Sequence, residues 1–276
     1  MSRPTVLAIA VPAILVPAAL FALLAPPLPP RLAVPAVAPR AHPSPAFARL
    51  VARHTREGTI EGTIVRVVDY SAIEDDPEYR TALQELAGAR PEAMGREERL
   101  AYWINAYNLL AIRLVVDRYP IDSIRDVHDG HAGAWDMEAG TAGGRLVSLG
   151  SIHDRLRDMG EPRIHFALVA AAVSCPDLRV YDAADLDAQL EAAARSFLAN
   201  DRRGARVTTE GVKVSRLLHS SHREFEPLGG VIAFLRSHAP PAVAARLEGA
   251  RIHDLGKLPY DWSLNDLART SVAARE

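Results

Sequence analysis

The sequence predicts a helix-rich α+β fold: a single domain with a small β-sheet around a buried central helix, preceded by an N-terminal apolar signal or anchor segment. Three observations predict it. The run "REERLAYWINAYNLLAIRLVVDRYP" (96–120) starts acidic, ends at a proline and is apolar on nearly every face, so it reads as a helix buried all round. Short β-branched runs interrupt the helical patterns, enough for a few strands and no large sheet. Val6 to Ala25 is apolar throughout, which sets the first residues apart from the remainder. A chain of 276 residues is long enough for one substantial core.

The elements follow in order. "SPAFARLVARHTREG" (44–58) is amphipathic and is expected as a short helix closed by Gly58. "TIEGTIVRVVDYSAI" (59–73) is β-branched and is expected as a strand or extended arm. "DDPEYRTALQELAGA" has an acidic start and a proline in its first turn, which is a helix signature. After the central helix, residues 121–147 are glycine-rich and irregular, closing on "GRLVSL" as a strand, and "SLGSIHDRLRDMG" is a short helix. "RIHFALVAAAV" (163–173) fits either a buried strand or a buried helix, because so short an apolar run has no decisive period. "AADLDAQLEAAARSFLAN" is a helix, and "ARVTTEGVKVS" is a hairpin turning at Glu210-Gly211. "PLGGVIAFLRSHAPPAVAARLEG" supplies one or two helices, and the aromatic "LPYDWSLND" is compact.

Hydrophobic residues make up 49% and charged residues 24%, an ordinary globular balance. The formal net charge is -2 and no basic run occurs, which argues against nucleic acid as a ligand. Lys213 and Lys257 are the only lysines. Twenty apolar residues can span a bilayer as a helix, although Pro12 and Pro17 weaken it; the alternative is a cleaved signal peptide. Residues 1–25 are therefore expected as signal or anchor, 26–43 as a stiff proline-rich linker, and 44–276 as the globular domain. That organisation places the domain outside the cytoplasm, in the periplasm or cell envelope, with the N-terminal segment as its membrane contact.

Chemistry centres on Cys175, the only cysteine, which cannot form an internal disulfide. Pro176 pushes it out of the helical region, so the thiol marks the end of an element, flanked by Ser174 and Asp177. A nucleophilic thiol needs a base. His165 lies ten residues upstream, about 33 Å away along a strand or about 15 Å along a helix, so a direct pair requires the chain to bend. His153 and His219 are rival bases, and His222 a weaker one. Asn105 and Asn108 share one face of the central helix, either to tie it to neighbouring backbone or to orient a histidine. His128, His131, Asp126 and Asp136 lack zinc-ligand spacing, so no metal is expected, and no cofactor motif is present: neither a phosphate-binding glycine loop, nor G-x-S-x-G, nor C-x-x-C.

"ERLAYWINAYNLLAIRLVVDRYP", "IRDV", "GGRLVSL", "PRIHFALVAAAVSCPDL", "YDAADLDAQLEAAARSFL" and "LPYDWSLND", in this order between about Val68 and Asp266, resemble the family called domain of unknown function 547. The resemblance implies Asn105, Asn108, His165, Ser174 and Cys175 as recurrent polar positions. It also implies two departures. Many members carry a Glu-His pair after the Leu-Ser-Leu strand, where this chain has "SLGSIHDRLRD" with His153-Asp154. Many carry a second cysteine or an Asn-Cys pair where this chain has Val169-Ala170.

Two functional readings follow. In the first, the protein resembles cysteine hydrolases or acyltransferases of the papain and transglutaminase class acting on amide or peptide bonds. Cys175 is then the nucleophile, His165 the base and Asn105 its orienter, with Asn108, Trp103, His153, Ser174 and Asp177 lining the site. It requires a Cys–His contact in an accessible cleft. In the second, the protein is a non-catalytic envelope binding or scaffold domain for a peptide, protein or small-molecule ligand. Cys175 is then buried, and Trp103, Tyr107, Tyr260 and Trp262 are core or pocket aromatics.

Overall fold

The computed structural model describes residues 44–270. The expected signal or anchor (1–25) and the linker (26–43) fall outside these residues. Among the described residues no helix is long and apolar enough to cross a membrane.

Helix α1 (Pro45–His54) starts at Ser44, whose hydroxyl accepts the Phe47 N–H, and buries Ala46, Phe47, Leu50 and Val51. It does not reach Gly58. The chain enters strand β1 (Thr55–Ile60) directly, turns at Glu61-Gly62 and returns as β2 (Thr63–Val68), with Gly58 paired to Val65. The run expected as one strand or arm is thus half of a hairpin. Both turn residues have positive φ (45° and 76°), the requirement of a two-residue hairpin turn, and Gly62 meets it without strain. One-turn helix α2 (Tyr70–Ile73) is capped by Asp69, and α3 (Pro77–Gly88) by Asp76.

Helix α4 (Arg96–Val116) is the central element. Every residue from Leu100 to Ile112 is buried. It stops short of Pro120, since the residue before a proline is disfavoured in helical geometry. Two small hairpins follow: β3 (His128–Asp129) with β4 (Ala132–Gly133), and β5 (Gly140–Ala142) with β6 (Arg145–Val147). Helix α5 (Leu149–Asp158), capped by Ser148, packs on α4. Residues 162–166 make a 3-10 turn, and 167–181 then run without regular structure to α6 (Leu186–Ala199). Strands β7 (Ala205–Thr208) and β8 (Gly211–Val214) form the expected second hairpin, but it turns at Thr209-Glu210, and Gly211 already belongs to β8, paired with Thr208. Short α7 (Arg216–Ser220), α8 (Gly230–His238) and α9 (Pro241–Ala244) come next, and β9 (Gly256–Lys257) adds to β8 in parallel.

The fold is helix-rich α+β, with one correction to the expectation: instead of a single small sheet, four separate small sheets occur among the described residues, none wider than three strands. The large apolar core surrounds α4. A second core gathers Phe166, Phe197, Phe225 and Phe234 between α6 and α8, with Phe166 stacked on Phe234 at 5.5 Å.

Residues 163–173 are neither strand nor helix. After the 3-10 turn the chain bends, Ala171 takes a positive φ of 54°, and a single bridge joins Ala172 to Leu264. The backbone groups of this buried run are met by side chains and by a distant segment, which removes the need for a regular ladder.

Candidate functional site

The site is built on two amides of α4. Asn108, fully buried, donates from Nδ2 to the Ala167 carbonyl (2.9 Å), and its Oδ1 accepts the Val169 N–H (2.9 Å). Asn105 does the same at Tyr181, donating to its carbonyl (2.8 Å) and accepting its N–H (2.9 Å). A carboxamide copies a peptide group, so each asparagine serves as a one-residue strand partner. Together they fasten both ends of segment 167–181 to the central helix, and Cys175 lies between the fastenings. This is the tying role; neither amide bonds a histidine.

Residues 260–266 cover the same segment like a strap. Val173 N–H donates to Ser263 O (2.9 Å), Ser174 N–H to Asp261 O (3.2 Å), and Asn265 N–H to Ala171 O (3.1 Å). Ser174 Oγ accepts the Asp261 N–H (2.8 Å), so Ser174 secures the strap. Val68 N–H donates to Asn265 O (2.9 Å), joining the strap to β2.

Cys175 closes a turn, its N–H donating to Ala172 O (2.9 Å), and is 3% exposed. Its sulfur accepts the Ala170 N–H at 3.3 Å and shares a hydrogen bond with the Tyr260 hydroxyl at 3.3 Å. Burial pushes the thiol above its ordinary value; the contacts from Tyr260, Ala172 and Ala170 and the nearby Arg203 cation only partly oppose this. Arg203, itself buried, donates to the Cys175 carbonyl (2.6 Å) and to Asp177 Oδ1 (2.9 Å), and Asp177 also accepts the Arg66 N–H (3.1 Å). Asp177 therefore locks the corner after Pro176.

His165 faces elsewhere. Its Nε2 bonds Glu224 Oε2 at 2.8 Å, while Arg157 Nε holds Glu224 Oε1 at 2.9 Å. Burial lowers the affinity of His165 for a second proton, against the pull of Glu224. Burial alone would raise the Glu224 carboxyl, but His165 and Arg157 bring it below the usual range. Glu224 is thus an ionised acceptor, which assigns the proton of the neutral imidazole to Nε2. The His153 ring lies 5.8 Å from that of His165, and burial lowers its pKa as well. Trp103 is 5% exposed, edge-on to Tyr102 at 4.8 Å and covered by Arg155 at 5.2 Å, a core position.

The structure therefore brings together Asn105, Asn108, Ser174, Cys175 and Asp177 around one turn, and separately joins His165 to Glu224 beside His153. Among the described residues, His165 is not a hydrogen-bond partner of the sulfur. Glu224 and Arg203 were not singled out by sequence reasoning. Each lies in a polar run with no local sign of its partner, 59 and 28 residues away respectively. No group of three or more His, Cys, Asp or Glu among the described residues is placed to hold a metal ion.

Beside the strap lies an open cleft of about 610 Å³ lined by Asp122, Ser123, Arg125, Asp126, Trp262, Ser263 and Arg269. The Arg125 guanidinium sits over the Trp262 ring at 5.6 Å, and Trp262 packs on Tyr260 at 4.5 Å.

Fold and site thus define a helix-rich α+β domain in which a buried thiol turn is clamped between a central helix and a distant strap. Residues 91–198, from just before α4 to α6, match the family described as "Protein of unknown function, DUF547". The matched segment holds both asparagines, His153, His165, Ser174, Cys175 and Asp177; Arg203, Glu224 and the strap lie beyond it. The chain matches no curated protein and no solved structure.

Proposed function

We propose that this protein is a non-catalytic binding domain of the cell envelope, held there by its N-terminal segment, with Cys175 as a structural thiol. One observation carries the reading: the sulfur is enclosed, saturated by Ala170 and Tyr260, and separate from the His165–Glu224 pair. A thiol hydrolase needs a thiolate, a base in contact and room for an acyl group. Here burial favours the neutral thiol, and the sulfur's partners are Ala170 and Tyr260 rather than His165.

As a binding domain, the protein has the cleft beside Trp262 to offer a peptide, protein or small molecule. An aromatic ring and charges of both signs meet there, a composition suited to holding a ligand. The test is alkylation of Cys175 in the native protein, read by intact mass from pH 6 to 9. The expected result is no labelling until denaturant is added. Rapid native labelling with a midpoint well below the free-thiol value of about 8.5 would restore the hydrolase reading.

A further inference from the structure

A second cleft, of about 380 Å³, is lined by Arg216, His219, Ser220 and Lys257. It is formed where α7 meets β9. Arg216 and His219 are three apart on α7 and so share a face. The parallel pairing of β9 with β8 sets Lys257 opposite Val214, just before that helix. None of the lining residues is a carboxylate. Burial lowers the affinity of His219 for a second proton, the Gly256 backbone opposes this, and Lys257 adds to the lowering.

Neighbouring cations outside the cleft are paired: Lys213 with Glu210 at 2.7 Å and Arg251 with Asp254 at 3.4 Å. Among the described residues, the Arg216 and Lys257 side chains have no ion-pair or hydrogen-bond partner; the Gly256 backbone favours the charged form of the His219 ring, and His219 Nε2 is buried without a partner in hydrogen-bond geometry. A buried ring nitrogen without a hydrogen-bond partner, lining the same cleft as two unpaired cations, is a place where an anion supplies what the protein does not.

We propose that this cleft binds a phosphate group through Arg216, Lys257 and His219. A guanidinium, an ammonium and an imidazole approaching from two elements suit a group that presents several equivalent charged oxygens. The volume lies in the range of small-molecule sites. The phosphate belongs either to a small soluble monoester or to a lipid headgroup diester. This assignment is independent of the role of Cys175.

The test titrates the full chain with inorganic phosphate and, separately, with glycerophosphoglycerol as a diester headgroup, following the His219 ring protons by NMR. Saturable shifts with phosphate alone identify a soluble monoester; shifts of similar affinity with both identify a headgroup. Arg216→Gln and Lys257→Gln, both at exposed positions, are each expected to weaken binding tenfold or more with an unchanged far-UV spectrum. No saturable shift of His219 with either probe, or the same Kd in both variants as in the parent, overturns the proposal.

Discussion

Replacing Asn108 with leucine tests the clamp that positions the thiol turn. The side chain is fully buried, and its two hydrogen bonds, both 2.9 Å, serve the Ala167 carbonyl and the Val169 N–H. Leucine keeps the volume and removes both partners, so the cost is that of two stranded backbone groups. At about 1–3 kcal/mol each, the loss is about 2–6 kcal/mol. Against a total stability of about 5–15 kcal/mol, that is a large fraction. With a urea slope of about 3 kcal/mol/M, the unfolding midpoint moves down by about 1 M. Asn108→Asp separates the two contacts: it keeps the acceptor for Val169 but sets oxygen against the Ala167 carbonyl, so it also destabilises. Equilibrium urea unfolding followed by far-UV circular dichroism reads both. A midpoint shift below about 0.3 M for Asn108→Leu, equivalent to about 1 kcal/mol, would refute the reasoning that this amide carries the segment.

Further outcomes follow from the same structure. Arg203→Met strands the Cys175 carbonyl and Asp177, and is expected to cost about 3 kcal/mol in urea unfolding while speeding alkylation of Cys175; unchanged alkylation would mean the corner is held without the guanidinium. Gly204→Ala places a methyl 2.0 Å from the Phe197 carbonyl oxygen, so loss of about 3 kcal/mol or failure to fold is expected, checked by thermal unfolding. Stability falls with acidification. The folded-state pKa of His165 is lowered, so below the unfolded value of about 6.5 the unfolded chain takes up the extra proton first. The Glu224 contribution is present above its unfolded value of about 4.3 and is lost as pH falls through its lower folded one. The urea midpoint should drop between pH 7 and pH 5, and His165→Gln should flatten that slope; a midpoint that rises on acidification contradicts the assignment.

What was legible in the sequence was what is local. Helix α4 announced itself because burial on all sides leaves no polar stripe, and the 205–214 hairpin because its turn residues sit between alternating strands. Cys175 does lie at a turn before Pro176, but within the irregular run 167–181 rather than at the end of an element. The segment 163–178 was not legible, because its hydrogen bonds come from amides on α4 and from residues 261–265, and no periodicity records a partner so far along the chain. The first hairpin was half seen: Gly58 looked like a helix stop, yet it lies mid-strand, while Glu61-Gly62 makes the turn. The partners of the two reactive-looking groups, Tyr260 for Cys175 and Glu224 for His165, lie 85 and 59 residues away, and nothing local marks either pairing.

The strap has a consequence for how the molecule is made. Residues 260–266 are synthesised long after the 171–175 segment and β2 that they pair with, and Val68 meets Asn265 across nearly the whole domain. Until they emerge, the thiol turn has no edge partner and Tyr260 cannot cover the sulfur. The strap can therefore pair with the thiol turn only once residues 260–266 have been made. A chain truncated before Tyr260 lacks the hydroxyl that contacts the sulfur in the finished molecule, so alkylation of Cys175 is expected to report whether the strap has closed.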